Sequence, residues 1–234
     1  MTGDFLLIKH QNKYGGEARA MIFNRNYFEK KFETEDPWSV SDSIFQLRKY
    51  KQQIILIKDL VREPVSVLEI GCAEGCHTAM LASVFPRTQI VAVDISSSAI
   101  ARARKRCQNN SNISFIVGDI DRLLKQGGLP HQPYDVIIQS ESLYYMFLNH
   151  VVHLRIKDYV HNLLDILKTG GIFFTCNSYA GITRSVVSVY YTIFDRLAEP
   201  VLSKTYQEWF DSKEAYWSYE IKTYRRPEKD YRMR

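Results

Sequence analysis

Short apolar runs alternate with helical stretches between residues 65 and 176, and this alternation limits the possible fold more than any other feature of the chain. Five runs rich in β-branched residues have the length of strands, over 65–70, 89–94, 113–117, 134–139 and 172–176. Stretches with helical spacing separate them, over 76–85, 97–108, 120–126 and 149–168. The last stretch ends at Gly170-Gly171, a pair typical of a helix stop. Apolar strands separated by helices predict an α/β fold with a parallel sheet covered on both faces.

The segments on either side of this region have a different composition. Residues 1–60 are polar and aromatic, and they predict helices over 24–33 and 43–60. The second helix has apolar residues at helical spacing, namely Ile44, Leu47, Ile54, Ile55 and Leu60. Near the other end, the sequence predicts a helix over 182–197. Two aromatic-rich runs follow, 199–209 and 215–224, and we expect them to form a hairpin at the edge of the sheet.

Composition excludes several classes of protein. With 234 residues, 45% of them hydrophobic and 24% charged, the chain is neither disordered nor too small to build its own core. Four cysteines are too sparse for a disulfide scaffold, and no apolar run is long enough for a membrane-spanning helix. The first ten residues lack the basic and apolar regions of a secretory signal. We therefore expect a soluble, cytoplasmic protein, either a monomer or a homodimer.

The net charge of +5 does not indicate a nucleic-acid partner. Six basic and two acidic residues lie between 222 and 234, so the end of the chain carries most of the excess. The rest of the chain is nearly neutral and lacks the basic groove that binds a phosphate backbone. These features favour a small-molecule partner and no nucleic acid.

The most informative local pattern follows the first predicted strand. That strand ends at Glu69-Ile70, and a turn of small residues, Gly71-x-Ala73-x-Gly75, leads into the next helix. Glycine permits a tight turn, and small side chains let the backbone approach a ligand at the positive end of a helix. The spacing differs from the G-x-G-x-x-G turn that holds a pyrophosphate, and no Gly-Lys-Ser/Thr follows. The turn is therefore suited to a ligand without a diphosphate.

Acidic residues follow the next two predicted strands. Asp94 lies about 20 residues after the glycine turn, where a carboxylate can accept hydrogen bonds from ribose hydroxyls. Asp119 follows the third strand and stands beside the apolar Ile120. Ligands of open α/β sheets bind at the carboxyl ends of the strands, where all these residues are expected to meet. Together they predict a nucleoside pocket without a phosphate clamp.

Residues 64–177 resemble the class I S-adenosylmethionine-dependent methyltransferases, through the turn at 69–75, Asp94, Asp119-Ile120, the stretch 134–141 and the turn at 167–174. The resemblance implies a Rossmann-like sheet of seven strands, parallel except for the last, with an N-terminal helical lid. It implies one domain over 1–234, with a lid or substrate segment at 1–60, a cofactor-binding core at 61–180, and a C-terminal helix and closing strands at 181–234. The implied cofactor is S-adenosyl-L-methionine, with S-adenosyl-L-homocysteine as product. Its implied ligands are Glu69, Gly71, Cys72, Ala73, Gly75, Asp94, Ile95, Asp119, Ile120 and Ser140. Ala73 departs from the glycine that many members have there, which should narrow the turn without abolishing binding.

A narrower resemblance, to the nodulation protein S methyltransferases, rests on residues 32–38, 45–50 and 140–145. It implies N-methylation of an amine on an amino sugar such as a deacetylated chitooligosaccharide, or on a related metabolite. Glu141 is the candidate to orient or deprotonate that amine. Two other roles for Glu141 remain open, namely a hydrogen bond to the amino group of the cofactor's methionine and a cap on the next helix.

The remaining candidates are aromatic residues and a histidine. Trp38, Tyr144 and Tyr145 are candidates to stack on a sugar or surround the sulfonium, or else to pack in the core. Tyr144 is also a catalytic candidate, together with Glu141, and His153 is a candidate second base. Cys72, Cys76 and His77 do not have the spacing of a zinc site, so we expect no metal. The alternatives are an O-methyltransferase acting on a hydroxyl of a secondary metabolite or saccharide, and a binding module that retains the fold but has lost transfer.

Overall fold

A seven-stranded sheet forms the centre of the computed structural model, which describes residues 23–152, 155–178, 181–209 and 216–228. The strands are β1 (Ser66–Ile70), β2 (Gln89–Asp94), β3 (Ile113–Val117), β4 (Tyr134–Ser140), β5 (Leu167–Ser178), β6 (Glu199–Trp209) and β7 (Tyr216–Arg225). Their order across the sheet is β3-β2-β1-β4-β5-β7-β6. The order reverses at β1, so β1, β2 and β4 meet at a topological switch point, the place where open α/β sheets bind ligands.

The strand directions confirm the predicted fold class. β1 is parallel to β2 and β4, and β2–β3 and β4–β5 are parallel as well. β7 runs antiparallel to both β5 and β6, so the last strand of the chain is the reversed one. The two aromatic-rich runs form the predicted hairpin because each is long enough, at 11 and 10 residues, to pair along its length.

Eight helices connect and cover the strands in the described part of the chain. They are α1 (Arg25–Lys31), α2 (Ile44–Val61), α3 (Cys76–Val84), α4 (Ser97–Arg106), α5 (Ile120–Gln126), α6 (Leu143–Val152), α7 (Ile156–Asp165) and α8 (Gly181–Leu197). Side-chain oxygens begin α2, α4 and α5, where Ser43, Ser96 and Asp119 accept a hydrogen bond from a backbone N–H of the first turn. None of the described helices has the length and hydropathy to cross a membrane. We call residues 23–61, which include α1 and α2, the N-terminal segment.

Two apolar layers hold the sheet between the helices. On one face, Phe173 of β5 stacks on Phe194 of α8, with ring centroids 4.5 Å apart. On the other face, Ile57 of α2 and Leu81 of α3 pack with Val67 of β1. Both layers are buried, which explains why the central strands read as continuous apolar runs rather than as alternating ones.

The prediction of one long helix over 149–168 was wrong in both bounds and continuity. A helix already begins at Leu143, and a separate one ends at Asp165. Gly170 and Gly171 lie inside β5, where the register with β4 shifts and Gly170 has a φ of +76°. The glycine pair therefore marks an irregularity in a strand, a role that glycine also commonly has, and not the end of a helix.

The predicted apolar face of α2 was also wrong in part. Ile44 and Ile55 are 55% and 52% exposed, whereas Lys49 and Gln53 are fully buried. Ile54 and Ile57 do face the core. Part of the inner face of α2 is therefore formed by polar side chains, and the partners of these polar side chains lie at the candidate active site.

Candidate active site

A cavity of about 380 Å³ opens at the carboxyl ends of β1–β4, beneath the N-terminal segment. Ligands of open α/β sheets bind at this edge. The structure brings many of the predicted site residues to its wall. These are Trp38, Gly71, Ala73, Asp94, Ile95, Asp119, Ile120, Ser140, Glu141, Tyr144 and Tyr145.

The glycine turn after β1 is shaped by close packing and by left-handed backbone. Gly71 has a φ of +77°, and a Cβ placed there would lie 2.7 Å from the Cβ of Ser142. Ala73 has a φ of +47°, a conformation that residues other than glycine seldom adopt. Its backbone N–H donates to Asp94 Oδ2 at 2.9 Å, so the end of β2 holds the turn in this shape.

Asp94 is a buried carboxylate that faces the cavity. Its Oδ1 accepts a hydrogen bond from the backbone N–H of Ser96 at 2.9 Å, in addition to the bond from Ala73 to Oδ2. Burial raises the pKa of Asp94 to about 6, against the effect of these backbone donors. The backbone of Ile95 is a third donor, and a carboxylate has about four lone-pair sites, so Asp94 retains capacity for about one further donor, such as a ribose hydroxyl.

Asp119 and Ile120 lie further along the same edge, at the start of α5. Asp119 Oδ1 accepts from the backbone N–H of Asp121 at 2.9 Å and caps the helix. The Asp119 side chain is exposed and Ile120 is 7% exposed, and both line the cavity. An apolar contact beside a polar group suits the edge of an aromatic base.

Three of the predicted cofactor ligands lie away from the cavity wall. Glu69 is 4% exposed. Its Oε1 lies 2.9 Å from His77 Nδ1, and its Oε2 accepts a hydrogen bond from Thr78 Oγ1. Cys72 is buried in the apolar layer beneath the turn. Gly75 packs against α4, because a Cβ there would lie 3.0 Å from that of Ala103. These three residues support the turn, and His153 lies outside the described residues.

The cysteines and histidine near the turn have other partners. The sulfur of Cys76 lies 3.2 Å from Ser41 Oγ, and the His77 ring stacks on Tyr50 with centroids 4.6 Å apart. Within the described ranges, no group of three or more His, Cys, Asp or Glu side chains could hold a metal ion.

Glu141 is held on several sides at the cavity wall. Its Oε1 accepts from Lys49 Nζ at 2.8 Å, and its Oε2 accepts from the Ser178 backbone N–H at 3.0 Å and from Tyr144 Oη at 3.3 Å. The Lys49 side chain is fully buried and that of Glu141 is 23% exposed. A proton on Glu141 would leave a buried ammonium without its counter-charge, which disfavours a role as general base.

Tyrosine hydroxyls at this wall are poor bases as well. Burial, together with the charge of Glu141, raises the pKa of Tyr144 far above its ordinary value. Burial also raises the pKa of Tyr50 and of Tyr145. These hydroxyls therefore stay protonated near neutral pH and act as hydrogen-bond donors.

Aromatic side chains of the N-terminal segment cover the cavity. Phe23 and Phe28 each meet the ring of Tyr145 edge to face, at 5.0 and 5.2 Å between centroids. Phe32 and Trp38 form a third such pair at 5.1 Å. All five line the cavity, so this wall is apolar and rich in π faces.

Charged contacts fasten the N-terminal segment to the glycine turn. Glu74, inside the turn, accepts from the backbone N–H of Asp36 at 3.0 Å and from Arg102 Nη1 at 2.6 Å through the same oxygen, Oε1. Arg106 Nε donates to the Glu74 carbonyl at 2.9 Å. The N-terminal segment and helix α4 thus both donate hydrogen bonds to Glu74 of the glycine turn.

Sequence reasoning missed several residues at this site. Gln46, Lys49 and Tyr50 come from α2, which was interpreted through its apolar residues alone. Lys49 and Glu141 are separated by 92 residues, so no local pattern links them. The only local indication of these site residues was that a lysine and a glutamine lie in a helix that also has to pack on the sheet.

Comparisons with known proteins agree with this geometry. The family model described as Nodulation protein S (NodS) matches residues 21–190. The nodulation protein S of Sinorhizobium fredii (strain NBRC 101917 / NGR234) is 33% identical over 153 residues, which are 65% of this chain and 65% of that protein. The match therefore spans just under two thirds of that relative's length. A malonyl-[acyl-carrier protein] O-methyltransferase of Bacillus anthracis is 35% identical over 108 residues, 46% of this chain and 35% of that protein.

Solved structures share the fold. The N-methyltransferase NodS from Bradyrhizobium japonicum WM9, crystallised with S-adenosyl-L-homocysteine, has a TM-score of 0.68 and 24% identity, covering 87% of this chain and 98% of that one. The O-methyltransferase TomG from Streptomyces achromogenes, crystallised with S-adenosylmethionine, has a TM-score of 0.59 and 15% identity, covering 86% and 87%. Since the family model covers well over half of the sequence, this chain belongs to the nodulation protein S family.

Proposed function

We propose that this protein transfers a methyl group from S-adenosylmethionine to an amine of a small or medium-sized acceptor, such as an amino sugar or a deacetylated chitooligosaccharide. The proposal is carried by one observation, namely that residues suited to the cofactor and a residue suited to the acceptor line the same cavity. Gly71, Ala73 and Asp94 line one part of its wall, and the anionic Glu141 lines another part. Family membership and the N-methyltransferase in the same family support the choice of an amine.

The cofactor fits the residues that are present. The backbone of the glycine turn lies open to the cavity because Gly71 and Ala73 have little or no side chain there. Asp94 would accept a hydrogen bond from a ribose hydroxyl, and Asp119 and Ile120 would flank the adenine edge. When bound, S-adenosylmethionine supplies an electrophilic methyl group on a sulfonium.

Glu141 would orient the acceptor amine rather than deprotonate it. Lys49, Ser178 and Tyr144 occupy three of the roughly four lone-pair sites of its carboxylate, which leaves room for about one further donor. An amine N–H supplies such a donor and points its lone pair away from the carboxylate. The excess proton of the amine would leave to solvent, because transfer needs only alignment once the amine is neutral.

The aromatic cover would exclude water and favour a positive charge. Tyr144 and Tyr145 belong to α6 and line the cavity together with Glu141, and the rings of Phe28 and Trp38 come from the N-terminal segment. Cation–π attraction is available to a sulfonium or to the ammonium product within about 6 Å of such rings. This environment suits an acceptor whose product is cationic.

An oxygen acceptor, either a hydroxyl or a carboxylate, is the alternative, and the relation to the malonyl-[acyl-carrier protein] O-methyltransferase gives it a specific basis. Methylation of an unactivated hydroxyl needs a base, however, and Glu141 and Tyr144 are both committed to other hydrogen bonds. A carboxylate acceptor would be repelled by Glu141. The local chemistry therefore favours an amine.

Methyl transfer from labelled S-adenosylmethionine to matched acceptors tests the proposal. We expect label on glucosamine or deacetylated chitooligosaccharides, none on their N-acetylated forms, and S-adenosylhomocysteine in equal amount. Label on hydroxyls or carboxylates in place of amines would assign the alternative. Cofactor binding without product from any acceptor would instead identify a binding module.

A further inference from the structure

Helix α2 buries two polar side chains one turn apart. Lys49 and Gln53 are both fully buried, although lysine is seldom buried and removing an ammonium from water costs several kcal/mol. Leucine at either position would cover the sheet at a lower cost. Their presence is therefore not explained by packing of α2 on the sheet.

The partners of these two side chains are adjacent residues at the end of β4. Lys49 Nζ donates to Glu141 Oε1 at 2.8 Å, and Gln53 Nε2 donates to Ser140 Oγ at 3.4 Å. Ser140 and Glu141 both line the cavity. Helix α2 thus contacts the part of the site where we place the acceptor.

The backbone of Glu141 is also unusual. Its φ is +52°, a left-handed conformation that is strained for a residue other than glycine and persists only where the surroundings enforce it. The surroundings here are α2 through Lys49, α6 through Tyr144, and β5 through Ser178. The Glu141 backbone N–H is also fixed, by donation to the Cys176 carbonyl at 2.8 Å.

We propose that Lys49 is a positioning residue for the transfer, which holds the Glu141 carboxylate in the orientation that receives the acceptor amine. Helix α2 of the N-terminal segment, and not the sheet alone, then determines where the acceptor sits. This inference rests on the proposed function, because it assigns Glu141 to the acceptor.

The charges around Glu141 make Lys49 the decisive partner. The titratable groups that face it are Lys49 and Tyr50 from α2, Tyr144 and Tyr145 from α6, and Cys176 from β5. Burial raises the pKa of all three tyrosines and raises that of Cys176 to about 12, so these four groups are neutral near pH 7. Lys49 is the cation of this group, so its removal would leave the Glu141 carboxylate without this counter-charge.

Kinetics of Lys49→Met, against Lys51→Met as the matched control, test the inference. Lys51 is an exposed residue of the same helix. We expect Lys49→Met to lower kcat/KM for the amine by about 10- to 100-fold, because the acceptor is misplaced, while the Kd of S-adenosylhomocysteine stays nearly unchanged. Lys49→Arg, which keeps the charge and a donor, should recover part of this loss, and Lys51→Met should leave kcat/KM at its wild-type value.

Double substitution separates positioning from folding. Lys49→Met combined with Glu141→Gln leaves no unpaired buried charge, so this variant should fold at least as well as Lys49→Met alone. We expect it to be no slower than Glu141→Gln, because Lys49 acts through Glu141. Losses that add would overturn the inference and leave Lys49 a structural residue.

A readout without turnover keeps this test independent of the proposed function. If the wild-type protein methylates no amine, the proposed function fails, and the hold of Lys49 on Glu141 is still measurable. The ¹³C resonance of the Glu141 carboxyl carbon at neutral pH should shift in Lys49→Met and stay at its wild-type position in Lys51→Met. An unshifted resonance in Lys49→Met would overturn the role of Lys49.

Discussion

The carboxylate of Glu29 accepts a hydrogen bond from the backbone N–H of Ser97 at 2.7 Å, so a side chain of α1 binds the first turn of α4. Its other oxygen accepts from the hydroxyl of Ser96 at 2.9 Å and the backbone N–H of Ser98 at 3.3 Å. An anion at a helix N-terminus is stabilised by the unpaired N–H groups and the helix dipole. Asp94 lies immediately before this turn, so Glu29 attaches the cover next to the proposed ribose site.

Substitution of Glu29 should loosen the cover. We expect Glu29→Ala to lower the free energy of unfolding by roughly 0.5–2 kcal/mol, the range for loss of a helix cap, and to speed proteolytic cleavage near α1. Glu33→Gln, an exposed glutamate of the same segment, is the control. Thermal unfolding and limited proteolysis measure the two effects. Equal cleavage of the wild type and Glu29→Ala would contradict the attachment.

The same contact should depend on pH only in strong acid. Burial raises the pKa of Glu29, but the hydrogen bonds from Ser96, Ser97 and Ser98 outweigh it and lower the pKa to about 2. A folded-state pKa below the unfolded value means that the stabilisation is complete above about pH 4.5 and is lost as the pH falls towards 2. Proteolysis by an acid-active protease, followed across this range, should show the protection of α1 disappearing in the wild type. A cleavage rate independent of pH would contradict this.

Asp94 should make cofactor affinity depend on pH in a milder range. Because burial raises its pKa to about 6, the carboxylate binds a proton below that pH, and ribose hydroxyls donate best to the ionised form. We expect the affinity for S-adenosylhomocysteine to rise with pH through about 6 and then to level off. For folding the sign is opposite, since a raised carboxyl pKa makes stability fall as pH rises between about 3.8 and 6.

Calorimetry on Asp94→Ala checks the assignment of this residue. Loss of charged hydrogen bonds to the ribose should weaken binding by roughly 1–3 kcal/mol, and the dependence on pH near 6 should vanish. Asp59→Ala, an exposed residue of α2, should bind as the wild type does. Unchanged affinity in Asp94→Ala would remove Asp94 from the site.

Gly71 and Gly170 form a matched pair for testing close packing at the turn. Their φ values are +77° and +76°, so alanine brings similar backbone strain, of about 1–2 kcal/mol, at both. No atom lies within 4 Å of a Cβ at Gly170, whereas Ser142 Cβ would lie 2.7 Å from one at Gly71. Gly71→Ala should therefore lose about 1–3 kcal/mol more stability, and it alone should lose affinity for S-adenosylhomocysteine. Equal losses in chemical denaturation would show that packing against Ser142 does not matter.

Ala73→Gly should stabilise the protein. The left-handed backbone at Ala73 costs about 1–2 kcal/mol, and glycine removes that cost while adding about 0.5–1 kcal/mol of unfolded-chain entropy. We expect a net gain of about 0.5–1 kcal/mol in the free energy of unfolding, with the hydrogen bond from residue 73 to Asp94 retained. A loss of stability in urea denaturation would show that the alanine methyl contributes packing.

The strands of the parallel part of the sheet could be predicted well because their signal is local. β2 and β3 have their predicted bounds, since apolar β-branched runs between turn residues leave little choice. The strand-end acids Asp94 and Asp119 could be placed at the cavity for the same reason, because parallel topology brings strand ends together.

The errors came from residues whose role depends on distant parts of the chain. Gly170-Gly171 has the same composition in a strand irregularity as after a helix, and only the pairing of β5 with β4 decides between them. The inner face of α2 was misjudged because Lys49 and Gln53 are buried for partners on β4. A helical pattern counts apolar residues and does not reveal such partners.

The hydrogen bond from the backbone of Asp36 to Glu74 fixes the chain next to a natural fluorophore, Trp38. Glu74 sits inside the glycine turn, and Trp38 follows Asp36 by two residues, lines the cavity and is 38% exposed. Trp209 and Trp217 belong to β6 and β7, at the far edge of the sheet. Trp38 lines the cavity, so its fluorescence should change when a ligand binds or leaves, without any attached dye.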